Sequence, residues 1–359
     1  MNLLKQKRIL KSLDKNKMNF WRNKTVLITG INGFIGSNLA KILLKKDAKV
    51  FGLIRKIDKN TLLFHEKLDD KIKLFIGDIT DIKLIKRIIN EENIKHIFHL
   101  AAQVEVGIAM KYPLSTFESN IRGTYSLLEG ARTSSTNIKS IIVASSDKSY
   151  GEYPNSKLPY KENYSLNPKY FYDTSKACAD LISKSYAFNP KKSLPIIITR
   201  FANVYGPGQM NYSALIPDCI RSSLKYSIFE PRGNGKDTRD FLFVEDVAEI
   251  YEILARELTL NKNLSGQIFN AGSNEKYRVV DIIKKIYLKN KNKKDLNKIL
   301  LKLPRRKTKG EIKNQLMNFK KLNVFFKWKP KTNFDKGLEK TINWYKKFLK
   351  NDTNNSFTS

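Results

Sequence analysis

Cysteine and histidine are scarce in this chain of 359 residues. The two cysteines, Cys178 and Cys219, form no metal or redox motif, and the three histidines show no ligand spacing. The sequence therefore excludes a disulfide-rich scaffold and predicts no metal site. Such sparing use of cysteine suits a reducing compartment, and we expect a cytoplasmic protein.

Long apolar runs are also missing. No stretch approaches the roughly 20 apolar residues that a membrane helix needs, so we expect no contact with a membrane. The first residues are polar and basic and lack the apolar core of a secretory signal. We interpret residues 1–20 as a basic N-terminal extension and residues 350–359 as a disordered polar tail.

Acidic residues are few: 34 Asp and Glu stand against 67 Lys and Arg, which gives a formal net charge of +33. The lysines are spread through nearly every segment and are not gathered into one arm. This distribution favours a general attraction for anionic metabolites over a specific nucleic-acid partner. The alternative, a non-enzymatic protein that binds nucleic acid, predicts an affinity that falls steeply with salt.

What the chain does contain is an alternation of short apolar strands and amphipathic helices. Strands are predicted at residues 25–29, 49–54, 72–76, 96–100, 140–144 and 195–200. The accompanying helices are predicted at residues 37–46, 81–91, 115–132 and 172–188. Strands that are apolar on both faces indicate a parallel sheet covered by helices on both sides. The predicted fold is therefore α/β, with a Rossmann-type doubly wound parallel sheet.

The regular alternation ends after Arg200, where glycine and proline become frequent. We assign residues 21–200 to a dinucleotide-binding domain, to which residues 241–264 return. A smaller C-terminal substrate-binding domain takes residues 201–240 and 265–349. Within these later segments we predict a helix from about Val244, a strand at 266–272, a helix at 277–289, a lysine-rich connection at 289–310 and a closing helix at 334–349.

Three glycines, Gly30, Gly33 and Gly36, lie directly between the first strand and the first helix. At such a junction backbone N–H groups can approach a dinucleotide pyrophosphate, which a Cβ atom would keep away. The sequence therefore predicts a tightly bound NAD or NADP. Arg55 stands near the end of the second strand, where an acidic residue would favour NAD, and can form a fork to the 2′-phosphate of NADP. The alternative is that Arg55 only stacks on the adenine from the surface.

Tyr172 and Lys176 are four positions apart, so they share one face of a predicted helix. A phenol ordinarily ionises near about pH 10, and a neighbouring ammonium stabilises the phenolate. The pair predicts that Tyr172 removes a proton from a sugar hydroxyl.

Together these motifs resemble those of the extended short-chain dehydrogenase/reductases of the NAD-dependent epimerase/dehydratase family. The resemblance runs from about Phe20 to Tyr345. It also includes the segments Gly77-Asp78-Ile79, His99-Leu100-Ala101-Ala102-Gln103 and Ser145-Ser146. The cofactor contacts that it implies are Gly30, Asn32, Gly33, Phe34, Ile35, Gly36, Arg55, Asp78, Ile79, Leu100, Ala101, Ala102, Gln103, Asn120, Tyr172 and Lys176.

The resemblance also implies roles on the substrate side. Ser146 would hydrogen-bond the reacting hydroxyl, and Ser145, Asn203 and Arg239 would bind the nucleotide-sugar. Arg239 would hold its pyrophosphate as a bidentate fork. A homodimer or homotetramer, built partly from helices of the cofactor domain, is implied as well. Alternatives remain for single residues: Asp78 caps the following helix, Asp240 pairs with Arg239 as scaffold, and the basic residues at 304–307 hold phosphates or form a solvated loop.

Ser146-Asp147-Lys148 is similar to the Thr/Ser-Asp-Lys signature of the CDP-glucose 4,6-dehydratases, whereas dTDP-glucose enzymes carry Asp-Glu there. This resemblance implies a nucleotide-sugar 4,6-dehydratase with CDP-glucose as substrate. Arg55 is instead similar to GDP-mannose 4,6-dehydratases, which keeps that activity as an alternative. A 4-epimerase similar to UDP-glucose 4-epimerases is a further alternative, because it needs Tyr172, Lys176 and Ser146 but no acid–base pair.

The chemistry of dehydration gives Asp147 and Lys148 separate roles. Oxidation at C4 of the sugar acidifies the C5 proton, the 6-hydroxyl then leaves as water, and hydride returns to C6. Asp147 would be the acid if an apolar site or a like charge raises its pKa, and Lys148 would be the base in its neutral form. The alternative is that Asp147 and Lys148 form an ion pair at the strand end.

Overall fold

The computed structural model describes residues 19–303 and 312–356. Apart from its last two residues, the predicted N-terminal extension lies outside the described residues, as does the basic segment at 304–307. The strands in chain order are β1 (Thr25–Thr29), β2 (Lys49–Ile54), β3 (Lys73–Ile76), β4 (His96–His99), β5 (Ser140–Ala144), β6 (Ile196–Phe201), β7 (Asn203–Tyr205), β8 (Thr238–Arg239), β9 (Phe241–Phe243), β10 (Ile268–Ala271) and β11 (Tyr277–Arg278).

A seven-stranded sheet has the order β10-β6-β5-β4-β1-β2-β3, and every neighbouring pair in it is parallel. This is the order of a doubly wound Rossmann sheet with one added edge strand, which confirms the predicted fold class. The strand order reverses between β1 and β4. In open α/β sheets, ligands bind in the crevice at the carboxyl ends of the strands at such a reversal.

Helices cover both faces of the sheet. The larger helices are Phe34–Leu44, Ile82–Glu91, Gly123–Thr133, Phe171–Ala187, Leu215–Ser223, Val244–Leu260, Val279–Lys289, Lys293–Lys302 and Phe334–Ser356. Shorter ones are Leu62–His65, Val106–Lys111, Pro113–Phe117 and Lys320–Phe326, with a π-helical turn at Glu118–Arg122 and 3₁₀ turns at Asp69–Lys71, Asp147–Tyr150, Asn155–Lys157 and Lys262–Leu264.

The buried core is built from the apolar periodicity of these elements. One cluster joins β1, β4 and β5 to helices Ile82–Glu91 and Gly123–Thr133. A second cluster, on the other face, joins helices Phe34–Leu44 and Val244–Leu260. Residues 241–264, which the sequence analysis assigned to the first domain, contribute side chains to this second cluster.

A smaller lobe packs at the carboxyl edge of the sheet. It contains the parallel pair β7 and β9 and the antiparallel pair β8 and β11. Its own apolar core draws on helices Leu215–Ser223, Val279–Lys289 and Phe334–Ser356. The edge of the sheet and this lobe together form the walls of a cavity.

Three features differ from the sequence-based expectations. The strand predicted at 266–272 was placed in the smaller domain, but β10 pairs with β6 and completes the main sheet, where three of its four residues are buried. The predicted connection at 289–310 contains the helix Lys293–Lys302, because Leu296, Ile299 and Leu303 share one buried face between exposed lysines. The closing helix does not end at residue 349 but continues to Ser356, inside the predicted tail.

None of the helices in the described ranges is long and apolar enough to span a bilayer.

Candidate functional site

A cavity of about 580 Å³ lies where the main sheet meets the smaller lobe. Residues directly after the carboxyl ends of the strands line it, among them Gly30 after β1, Arg55 after β2, Leu100 after β4 and Ser145 after β5. The volume is in the range of ordinary small-molecule sites. Across residues 19–303 and 312–356, no group of three or more His, Cys, Asp and Glu side chains is arranged to hold a metal ion.

The glycine loop is shaped by close backbone contacts. Gly30 has φ of +70°, and a Cβ atom there would lie 2.9 Å from the Cα of Ala101. A Cβ on Gly36 would collide with the carbonyl oxygen of Gly30. Gly33 is the N-cap of helix Phe34–Leu44 and offers no side-chain cap, so backbone N–H groups at the helix start remain for a ligand. A dinucleotide pyrophosphate fits this cradle.

Two residues predicted to contact the adenosine end of the cofactor are placed differently. Arg55 is exposed and lines the cavity. Ile79 lines it as well but is buried. Asp78 is not among the lining residues. Its carboxylate accepts hydrogen bonds from the backbone N–H of Thr80 at 2.8 Å and from the Thr80 hydroxyl at 2.7 Å, and these bonds lower its pKa. The following helix is capped by Asp81, whose carboxylate accepts from the Leu84 N–H at 3.0 Å.

The chain after β4 runs along the cavity as Leu100, Ala101, Ala102 and Gln103. Asn120 lies behind it, is 2% exposed and does not line the cavity. Its amide accepts from the Gln103 N–H at 2.7 Å and donates to the Gln103 carbonyl at 2.9 Å. Asn120 thus fixes the course of the lining segment from the π-helical turn, a local distortion that is frequent at functional sites.

The helix Phe171–Ala187 carries Tyr172 and Lys176 to the cavity, where they are 8% and 6% exposed. Burial raises the pKa of the Tyr172 phenol, and a hydrogen bond from Ser146 opposes that shift. Burial lowers the pKa of Lys176 to about 8, and its Nζ donates to the Ala144 carbonyl at 2.9 Å. Lys176 is therefore still mostly protonated at neutral pH, which leaves a cation one helical turn from the phenol.

Because an ammonium in this position is costly to bury, Lys176→Met should change stability in a pH-dependent way. From about 8 to the ordinary 10.5, the unfolded chain binds more protons at Lys176 than the folded chain, so the wild type becomes more stable as pH rises. The difference between the pKa of Lys176 in the folded chain, about 8, and its ordinary value of 10.5 corresponds to about 3 kcal/mol of unfolding free energy. The methionine variant lacks this gain, so its stability relative to wild type should fall by about that amount between neutral pH and pH 10.5.

Chemical denaturation at several pH values measures this difference. Lys184→Met on the exposed face of the same helix is the matched control for losing a lysine there. A stability difference for Lys176→Met that is the same at every pH would contradict the account.

The three residues after β5 stand together at the cavity. Ser146 is the N-cap of the turn Asp147–Tyr150, and its hydroxyl lies 3.1 Å from Asp147 Oδ1. Asp147 is 3% exposed, and burial raises the pKa of its carboxyl group. Lys148 also lines the cavity and is half-buried. Among the described residues, Asp147 and Lys148 do not form an ion pair within 4.0 Å. The structure therefore does not support the alternative that the two residues are simply an ion pair at the strand end.

A layer of aromatic side chains packs beneath the turn Asp147–Tyr150. Tyr150 stacks on Tyr160 with ring centroids 4.9 Å apart, and the guanidinium of Arg200 lies 4.7 Å from the Tyr150 ring. The Tyr150 hydroxyl donates to Asn270 Oδ1 at 2.8 Å. Arg200 is itself held by the buried carboxylate of Asp180 at 2.7 Å. The turn that presents Asp147 therefore packs on a fully buried layer of aromatic and hydrogen-bonded side chains.

The smaller lobe supplies the opposite wall. Arg239 lines the cavity, is 7% exposed and donates through Nη1 to the Thr238 carbonyl at 3.0 Å and to the Lys313 carbonyl at 2.9 Å. Asn203 and Ser145 line the cavity as well. These three residues line the same cavity as Tyr172.

Asp240 has another role than the pairing with Arg239 that the sequence left open. Its carboxylate accepts from the Ser273 N–H at 2.9 Å, the Ser273 hydroxyl at 2.6 Å and the Met317 N–H at 3.1 Å. Burial raises its pKa to about 6. Asp240 thus joins the chain segments that contain Ser273 and Met317 and is scaffold in that sense.

Sequence reasoning assigned no role to two polar residues around the site. His99 joins Thr29 at 2.9 Å to Thr124 at 3.1 Å, and burial lowers its pKa to about 3, so it is neutral. Gln315 donates to Asp147 Oδ2 at 2.9 Å, although the two residues are 168 positions apart. No local motif marks Gln315, and only the folded chain brings it to Asp147.

Comparison with known proteins places this geometry in a family. The model of the family described as GDP-mannose 4,6 dehydratase matches residues 27–341. The chain belongs to the extended short-chain dehydrogenase/reductases of the NAD-dependent epimerase/dehydratase family. This agrees with the glycine loop, the Tyr172–Lys176 pair and the strand order described above.

Individual members of this dehydrogenase/reductase family differ in activity. A trifunctional UDP-glucose 4,6-dehydratase/epimerase/reductase of Arabidopsis thaliana is 32% identical over 329 residues, which cover 90% of this chain and 47% of that protein. This chain thus spans about half the length of that relative. A dTDP-D-glucose 4,6-dehydratase of Dictyostelium discoideum is 33% identical over 277 residues, 73% of this chain and 61% of that one.

A solved structure is similar over nearly the whole fold. The dTDP-glucose 4,6-dehydratase of Bacillus anthracis in complex with NAD superposes with a TM-score of 0.76 at 26% identity, and covers 90% of this chain and 97% of that chain. The similarity confirms the Rossmann-type architecture and the family membership of this chain.

Proposed function

We propose that this chain is a nucleotide-sugar 4,6-dehydratase, which converts a nucleoside diphosphate hexose into its 4-keto-6-deoxy form with loss of water. The proposal depends mainly on the buried Asp147 carboxyl group, which lies beside Lys148 on the same cavity as Tyr172. A 4-epimerase needs a proton acceptor at O4 but has no step that uses a second acid and base.

The proposed cofactor is NAD or NADP. The loop Gly30–Gly36 would hold its pyrophosphate, and the segment Leu100–Gln103 would line its course through the cavity. Arg55 at the end of β2 supports NADP, whereas the similar Bacillus anthracis structure contains NAD. When bound, the nicotinamide supplies the hydride acceptor and donor for the carbon centres of the sugar.

Tyr172 is the proposed acceptor of the proton from the sugar 4-hydroxyl. Burial works against its ionisation, so the site must supply compensating interactions. One is the hydrogen bond with Ser146, which lowers the pKa of the phenol. The Lys176 ammonium, one helical turn away, is the proposed source of positive charge. Both residues stabilise the phenolate more than the phenol, and this difference is what a general base needs.

Asp147 and Lys148 are proposed to carry out the elimination from the 4-keto sugar. The amine of Lys148 takes the C5 proton, the C5–C6 double bond forms as the C6–O bond breaks, and Asp147 gives its proton to the departing oxygen. The oxygen thus leaves as water. Burial favours the protonated form of Asp147 by raising its pKa, which is the state that an acid must have before the step.

The finer proposal is that the substrate is CDP-glucose. It is supported by the sequence Ser146-Asp147-Lys148, while the relatives named above act on UDP- and dTDP-sugars. Arg239 is the proposed contact of the diphosphate, and Asn203 and Ser145 are the proposed contacts of the sugar, which their position on the cavity wall supports.

We also propose that the chain assembles with a second copy of itself. Exposed apolar side chains, such as Leu181 on helix Phe171–Ala187, support this assembly. Light scattering that reports a monomer would reject that assembly.

Mass spectrometry on a substrate panel tests the function. The purified chain, supplied with NAD and NADP in turn, is incubated with CDP-glucose, dTDP-glucose, UDP-glucose and GDP-mannose. We expect a product lighter by one water, formed fastest from CDP-glucose. A product of unchanged mass that is an isomer of the substrate would reject dehydration in favour of 4-epimerisation.

Asp147→Asn should separate the acid from the rest of the site. The amide has the shape of the carboxyl group but cannot give up a proton at neutral pH, so kcat for water loss should fall about 100-fold or more with KM nearly unchanged. The measurement is steady-state kinetics on the preferred substrate. A variant that keeps more than half of the wild-type kcat would show that Asp147 is not the acid.

A further inference from the structure

The contact between Gln315 and Asp147 is a buried side-chain pair that the proposed mechanism has not yet used. Gln315 has no exposed surface, and its Nε2 donates to Asp147 Oδ2 at 2.9 Å. Its Oε1 is also buried and has no hydrogen-bond partner within the described part of the chain. A buried amide oxygen without a partner ordinarily costs free energy, so its presence beside an acid–base group calls for a reason.

The backbone on both sides of Gln315 is firmly attached. The N–H of Gln315 donates to the Thr238 carbonyl at 3.1 Å, and the Thr238 N–H donates to the Lys313 carbonyl at 3.0 Å. Two residues further on, the Met317 N–H donates to Asp240 Oδ2 at 3.1 Å. The backbone of Gln315 is thereby held in place, and its two amide orientations differ only in the last side-chain torsion.

A carboxamide can match either protonation state of a carboxyl group. Its NH₂ donates to a carboxylate, and its oxygen accepts from a carboxylic acid once the amide has turned by half a rotation. A lysine or arginine in the same place would favour the carboxylate alone. Asp147 must be protonated before it acts and ionised afterwards, so the carboxamide is the chemical type that serves both stages.

We propose that Gln315 is a positioning residue for Asp147, which it holds through Nε2 when the carboxyl group is ionised and through Oε1 when it is protonated. The inference rests on the proposed role of Asp147 as the acid of the elimination. It assigns the buried Oε1 a partner that exists only in the protonated stage of the cycle.

Other charged and titratable groups also face the Asp147 carboxyl group. They come from its own turn, from the smaller lobe and from the elements packed against it, and are Lys148, Arg239, Asp240, Tyr160 and Tyr172. Lys148 and Arg239 favour its ionised form, while Asp240 opposes it. Each of them is retained in the variants below, so a change in the titration of Asp147 reports on Gln315.

The experiment replaces Gln315 by methionine, which has a similar length and no hydrogen-bonding amide. Gln267→Met is the matched control, because Gln267 is part-buried, makes its own side-chain hydrogen bond with Lys321 and lies outside the cavity. The protonation of Asp147 is followed by infrared spectroscopy of the carboxyl band that Asp147→Asn removes. Steady-state kinetics of water loss are measured across pH on the same proteins.

For Gln315→Met we expect the Asp147 band to persist to a pH about one unit higher, because the ionised form has lost a donor. The kcat for water loss should fall about 10- to 100-fold with KM changed far less, and its pH profile should shift in the same direction. Gln267→Met should behave as wild type in both measurements.

Gln315→Glu keeps the proposal testable if the methionine variant fails to fold. A glutamic acid can share a proton with Asp147, and its negative charge opposes ionisation of the pair, so we expect water loss to survive with its optimum moved toward higher pH. An Asp147 band and a kcat profile that match wild type in either variant would overturn the proposal. If the wild-type chain releases no water from any nucleotide-sugar, the proposed function fails, whereas the infrared titration still decides whether Gln315 controls Asp147.

Discussion

Tyr172→Phe is expected to lower kcat for water loss by about 10³-fold while leaving dinucleotide binding intact. In the proposed mechanism this hydroxyl takes the proton from the sugar. Tyr205 and Tyr251 also line the cavity, but their hydroxyls hydrogen-bond the Phe334 carbonyl and Thr199, whereas Tyr172 pairs with Ser146. Removing a buried hydroxyl whose pKa is raised by burial should leave the fold unharmed. Kinetics and a titration with the dinucleotide measure the two effects separately.

Tyr186→Phe is the matched control for Tyr172→Phe. Tyr186 lies on the same helix, and its hydroxyl donates to Glu129 at 3.1 Å on the side away from the cavity. Its loss should leave kcat within about twofold of wild type, since surface changes are usually small. If Tyr172→Phe were as active as Tyr186→Phe, the phenol would have no part in the reaction.

The second large effect is expected at the glycine loop. A methyl group on Gly36 would collide with the Gly30 carbonyl and lie 2.8 Å from the Cα of Ile31, and neither backbone atom can move without moving the loop. We therefore expect Gly36→Ala to weaken dinucleotide binding by more than about 100-fold, or about 3 kcal/mol, and to lower the temperature of unfolding. Calorimetric titration and thermal unfolding measure the two.

Two other glycines sharpen that test. Gly33 has φ of −76°, which alanine adopts readily, and a methyl group there would lie 3.1 Å from the Gly30 carbonyl oxygen, a tight contact but less severe than the one at Gly36. Gly33→Ala should therefore disturb the fold less than Gly36→Ala and lose affinity mainly through its methyl group at the helix start. Gly107 lies inside helix Val106–Lys111, and no atom of the described residues lies within 4 Å of the position that a methyl group would take there, so Gly107→Ala should bind as wild type. Equal affinities for Gly36→Ala and Gly107→Ala would show that the loop does not hold the pyrophosphate.

The parts of the site that the sequence predicted are those with local causes. The loop Gly30–Gly36 and the pair Tyr172 and Lys176 lie within single strand–turn–helix units, where spacing alone determines which residues line the cavity. The strands of the first domain were placed within one residue for the same reason, since each is a short apolar run bounded by polar turns.

What the sequence could not predict depends on distant contacts. Nothing local in Ile268–Ala271 distinguishes an edge strand of the main sheet from a strand of the smaller lobe, because that choice is made by pairing with β6. Gln315 meets Asp147 across 168 positions. Neither Asp78 nor Asn120 lines the cavity: Asp78 is exposed and hydrogen-bonded to Thr80, and Asn120 is buried and hydrogen-bonded to Gln103.

The helix Lys293–Lys302 was missed for a different reason. Its lysines gave the segment the composition of a solvated connection, and its apolar face has only Leu296 and Ile299 buried within it. In a chain with a net charge of +33, a lysine-rich stretch is weak evidence against a helix, since lysine is a good helix former on an exposed face.

The most direct test of the account uses a nucleoside diphosphate glucose that carries deuterium at C4 of the sugar. Internal dehydration predicts a product lighter by one water that retains the deuterium at C6, as read by mass spectrometry and NMR. A product of unchanged mass with deuterium still at C4, or a dehydrated product that has lost its label to solvent, would contradict it.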